Sequence, residues 1–191
     1  MKSRISKSEE KKRERLKQIF FASFLVLIMF GSVFGIVVNS FGGKKNIQNN
    51  INYNGFEFFR NENFWITEKE NSYFIFNYLP NETQINIQAD IKNLDFYYGK
   101  PLYISSEDLE IKSLIYTNFK EIAQRIQDAC VINETCKGDY PPKDCSDNFI
   151  IIREGNKTFL EQNQSCVYIS APKENLTKIM EEFLYRVLEI K

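Results

Sequence analysis

The longest apolar run in the chain, IFFASFLVLIMFGSVFGIVV from Ile19 to Val38, has no charged side chain in its twenty residues. As a helix rising about 1.5 Å per residue it would extend about 30 Å, the hydrocarbon thickness of a bilayer. A transmembrane signal anchor over 19–41 is therefore expected, with the lipid bilayer as its first partner. A cleaved signal peptide, with Val38 and Ser40 as the small-residue site before Phe41, is the alternative. Such hydrophobic regions usually run about 7–15 residues, so a retained anchor is preferred. Gly31 and Gly35 have the GxxxG spacing that lets two membrane helices approach closely, which makes them packing candidates for a homodimer.

After this run the pattern changes. Residues 42–54 are polar and read as a juxtamembrane linker, and residues 55–191 read as one domain. Three short runs rich in aromatic and β-branched residues, Phe56–Arg60, Phe64–Glu68 and Tyr73–Leu79, are separated by polar clusters of hairpin length. That order predicts an antiparallel meander with apolar side chains on both faces. Asn81 and Gln84 have the form of a helix cap, and 85–100 is ambiguous between a short helix and an irregular strand. A strand is expected at Leu102–Ser105. The stripe Ile111, Ile115, Phe119, Ile122, Ile126 and Ala129 predicts a helix running to about Ala129, led by the acidic Glu107 and Asp108. Further strands are expected at Phe149–Arg153, Thr158–Gln162 and Cys166–Ser170. A last helix follows Pro172, with Leu176, Ile179, Met180, Phe183, Val187 and Leu188 on one side. The fold class is α+β: antiparallel strands packed with two main helices behind an amino-terminal membrane helix.

Charge gives the direction. The zero net charge divides unevenly, because the tail 1–18 holds eight Lys and Arg against three Glu by Lys17. A basic tail before an apolar span places the amino terminus in the cytoplasm and the carboxyl-terminal domain outside the cell membrane. The domain is correspondingly acidic and a poor nucleic-acid binder.

The chain has no histidine. That absence removes Ser-His and Cys-His nucleophile pairs, histidine metal sites and a histidine pH switch. Cys130, Cys136, Cys145 and Cys166 all follow the apolar run and contain no CxxC, so structural disulfides are expected in place of a zinc ribbon or redox pair. Of the three connectivities, Cys130 with Cys136 and Cys145 with Cys166 is preferred. Five N-x-S/T sequons, at Asn81, Asn133, Asn156, Asn163 and Asn175, make glycosylation an expectation, best at Asn133 and Asn156. No catalytic, cofactor or metal motif is present, and the many carboxylates read as scattered over solvated faces.

The order AC, DC, FIIIREGN, SCVYIS and a final FLYRVLEI, with NGFEF and YFIFNYLP earlier, resembles uncharacterised single-pass membrane proteins of archaea. The resemblance implies the same topology and an α+β domain, and it implies no activity. Three functions follow in order: a non-enzymatic interaction or envelope-assembly module that binds an envelope protein or a glycan; an envelope hydrolase or processing enzyme using unlocated carboxylates; and a pilin-like surface subunit.

Overall fold

A computed structural model describes residues 17, 20, 21, 23, 24, 50–83, 85, 89–136 and 139–191. The chain divides into two units, Met1–Ile47 and Gln48–Lys191. In the first, the described residues Lys17, Phe20, Phe21, Ser23 and Phe24 are helical and exposed. The rest of the expected span, including Gly31 and Gly35, and the linker up to residue 49 lie outside the described residues. Among the described residues no helix is long and apolar enough to cross a membrane.

The second unit begins with four strands in antiparallel order: β1 (Asn50–Tyr53), β2 (Phe56–Asn61), β3 (Phe64–Lys69) and β4 (Ser72–Phe76). Residues 50–53 were expected within the linker and instead pair with β2. Their side chains stay largely exposed, so they carry no burial pattern. The local signal for them is Asn54–Gly55, both at positive φ, the turn type that matches the twist of a two-residue hairpin. Glu70 and Asn71 make the corresponding turn between β3 and β4. One face of the meander is core: Phe58, Trp65, Thr67, Phe74 and Phe76 are buried. Pro80–Glu82 is a turn in which the Glu82 carboxylate accepts the Leu79 N–H at 2.7 Å; Gln84, the other half of the expected helix cap, lies outside the described residues. The ambiguous stretch after it holds only a 3-10 turn at Leu94–Phe96 among its described residues.

The second sheet has the order β10-β11-β9-β5-β6, formed by β5 (Pro101–Ser105), β6 (Arg125–Asp128), β9 (Asn148–Glu154), β10 (Phe159–Asn163) and β11 (Cys166–Ala171). It corrects the expectation of antiparallel strands throughout, because β11, β9, β5 and β6 are mutually parallel and only β10 runs the other way. Helix α1 (Leu109–Phe119) makes this arrangement by carrying the chain from the end of β5 back to the start of β6. The helix ends ten residues before the expected Ala129. After Phe119 the chain turns, held by Gly99 N–H to Ile122 O at 2.9 Å and Gln124 N–H to Lys100 O at 3.0 Å, and Ile126 belongs to β6. Ile122 and Ala123 remain buried in the turn, so the apolar spacing outlasts the helix.

Helix α2 (Lys173–Val187) lies in the core shared by both sheets. All six positions of its expected stripe are buried, and so are Leu184 and Tyr185. Tyr185 stacks on Phe76 at 4.3 Å, meets Phe58 edge-on at 6.1 Å, and donates its hydroxyl to Tyr78 O. The other face of the second sheet has a smaller core of Tyr103, Ala129, Phe149, Ile151 and Cys166, packed by Val131, Cys145 and Tyr168. The cysteine-rich segment covers this face, including the short parallel pair β7 (Cys130–Val131) and β8 (Pro142–Lys143). Disulfides join Cys130 to Cys136 and Cys145 to Cys166. They fit a domain made for an oxidising, extracytoplasmic compartment.

Candidate functional site

Strand β5 leads to β6 on one side, whereas β9 leads to β10 and β11 on the other. The strand order therefore changes direction between β5 and β9. In open sheets with parallel strands, ligands bind outside the carboxyl ends of the strands at such a point. Here that position is a crevice of about 420 Å³ lined by Ser105, Ser106, Lys112, Asp128, Glu134 and Arg153 among others, with the Cys130–Cys136 disulfide on its wall. A second hollow of about 450 Å³ shares Ser106, Glu107 and Arg153 and reaches Glu154 and Lys173.

Local chain geometry fixes the crevice walls. The Ser106 hydroxyl accepts the Asp108 N–H at 3.1 Å, and the Asp108 carboxylate accepts the N–H groups of Glu110 and Ile111 at 2.9 and 3.1 Å, capping α1. Arg153 comes from the carboxyl end of β9. Its Nη1 donates to Ser105 O, Ser105 Oγ and Ile152 O, each at 3.0 Å, tying the guanidinium across the seam between β5 and β9. Its Nη2 reaches Glu134 at 2.8 Å, on the loop closed by Cys130–Cys136. Lys112 pairs with Asp128 at 2.9 Å on the same wall.

The sequence-expected residues divide around this site. Cys130 and Cys136 border the crevice, and Cys145–Cys166 sits at the opposite, amino-terminal end of β9 and β11. Asn81, Asn133, Asn156 and Asn163 are exposed, Asn133 beside Glu134; Asn175 is half-buried in the first turn of α2. No group of three residues suited to holding a metal occurs among the described residues.

Two carboxylates expected on solvated faces are buried. Glu181 and Glu182 have 0% and 1% of their surface exposed. Glu181 Oε1 accepts the Asn77 N–H at 2.6 Å and the Asn77 side-chain amide at 2.8 Å, and Oε2 accepts the Tyr78 N–H at 2.9 Å. Burial pushes its carboxyl up to about 7, outweighing the three donors that lower it, and the charge of Glu82 acts with burial. Glu182 accepts from Arg186 Nε and Thr83 Oγ1, each at 3.0 Å, and from Lys191. Neither Glu lines the crevice or the hollow beside it. A trace of this was present in sequence: Glu181 and Glu182 stand between Ile179-Met180 and Phe183-Leu184, and Glu182 lies one helical turn from Arg186.

Comparison with protein-family models, curated proteins and solved structures finds no match for the chain.

Proposed function

We propose that the protein is a membrane-anchored interaction module whose extracytoplasmic domain binds another envelope component through the crevice at the ends of β5 and β9. The carrying observation is the placement of that crevice: a polar hollow at the point where the strand order reverses, with an arginine held across the seam. The basic tail and apolar run argue for the anchor, and the disulfides for the outward-facing side. What favours binding over catalysis is that the most buried carboxylates, Glu181 and Glu182, are engaged in joining sheets and helices.

Cross-linking of the full chain in native membranes, followed by identification of its neighbours, tests the reading. Ser106→Trp, which fills the crevice, should remove the principal neighbour while leaving the thermal melt of the domain within a few degrees. Recovery of the protein alone, or an unchanged neighbour in Ser106→Trp, would overturn it.

A further inference from the structure

We infer that the Arg153 crevice receives a side-chain carboxylate of a partner polypeptide, and that Glu134 occupies the position until the partner displaces it. The inference rests on reading the crevice as a binding site and names the chemistry it would take. Arg153 is bonded to the sheet through Nη1 and to the loop through Nη2. Its Nη1 is spent on Ser105 and Ile152, and its Nη2 meets Glu134, which lines the crevice with it. A guanidinium fixed this way loses little freedom when it binds a carboxylate.

The pairing with Glu134 is exchangeable. The Arg153 and Glu134 side chains are 41% and 52% exposed, the range in which an ion pair contributes about 0–1 kcal/mol. Ile132 to Cys136, which carry Glu134, are exposed throughout, so the Glu134 side chain can turn into solvent with little loss of packing while the Cys130–Cys136 disulfide holds the loop in place. Glu134 is itself a polypeptide glutamate seated on Arg153, so the structure displays the proposed contact within one chain. The crevice is large enough for one such side chain and its neighbours. Its remaining charges set the ligand's character. Lys112 is matched by Asp128, and along the two hollows the one further cation among the lining residues, Lys173, stands against Glu107, Asp108 and Glu154. A single carboxylate fits this surrounding better than a multiply charged anion does.

Calorimetric titration of the full chain in detergent tests the idea with three peptides: acetyl-Ala-Glu-Ala-amide, acetyl-Ala-Ala-Ala with a free carboxyl terminus, and the neutral acetyl-Ala-Gln-Ala-amide. Glu134→Gln, which also preserves the Asn133 sequon, should tighten the glutamate peptide about fivefold, the amount a surface ion pair can withhold. Arg153→Gln should abolish that binding and Arg153→Lys should weaken it, while the neutral peptide should not bind. A terminal-carboxylate peptide that binds better than the glutamate peptide would overturn the side-chain assignment. Failure of the glutamate peptide to bind Glu134→Gln would overturn the whole inference, whether or not the Arg153 variants fold. If Ser106→Trp still loses its neighbour in that case, the crevice remains a binding site for a different chemistry.

Discussion

Glu181 on α2 receives both the main-chain N–H and the side-chain amide of Asn77, just beyond the end of β4. Nearby, Asn118 on α1 accepts the Ile75 N–H at 2.7 Å and returns its amide to Ile75 O at 3.0 Å. Strand β4 is the last of its sheet, and an open strand edge offers unpaired groups to any passing strand. Side chains from two helices close this one and join the meander to the rest of the domain.

Glu181 gives the domain a pH dependence. Its folded value of about 7 stands above its ordinary 4.5, so between these values the folded state keeps a proton that the unfolded chain releases. Its contribution to stability is complete below about 4.5 and is lost as pH rises through about 7. Urea midpoints measured from pH 4 to pH 8 should fall through that window. In Glu181→Gln this part of the slope should vanish; an unchanged slope assigns it elsewhere. Glu181→Ala should cost on the order of 3 kcal/mol, since it leaves buried donors without acceptors.

Replacing Asn118 by Leu removes both bonds to Ile75 while keeping volume. A loss of roughly 2–3 kcal/mol is expected, with faster amide exchange at Ile75 than at Phe74 or Phe76. Equal protection at all three would mean that Asn118 does not guard the edge.

The disulfides should differ in weight. Cys145–Cys166 closes a separation of 21 residues and Cys130–Cys136 one of 6. In the chain-entropy model, paired Ser variants should lose about 3 and about 2 kcal/mol respectively. Thermal unfolding of the two double variants under identical conditions measures the order.

Gly155 is required by proximity to a neighbour. A Cβ built there lies 2.7 Å from Ser170 Oγ. Gly155→Ala should destabilise by roughly 1–3 kcal/mol, and adding Ser170→Ala should recover a large part. A double variant no better than the sum of its parts would locate the cost in the backbone.

What could be read in the sequence was what neighbouring residues decide. The strands β2, β3 and β4 stand out because polar turns separate apolar runs, and α2 because its stripe holds from Leu176 to Leu188. Asn54–Gly55 marked a further hairpin, but the polar strand before it resembled a linker. Parallel pairing of β5 with β9 leaves no such mark, since Tyr103 and Phe149 meet without a local turn between them. The crevice suffers the same dispersal, with Ser105 and Arg153 brought together only by that register. The burial of Glu181 was hidden because its partners, Asn77 and Tyr78, lie more than a hundred residues away.

The place of α2 in chain order bears on how the domain is made. It follows every described strand, yet its side chains complete the core between the two sheets and supply the acceptor for Asn77 and Tyr78. During synthesis the meander leaves the ribosome long before its second layer exists. Chains stalled before Lys173 should therefore be cut readily by protease, and resistance should arise abruptly once α2 has emerged.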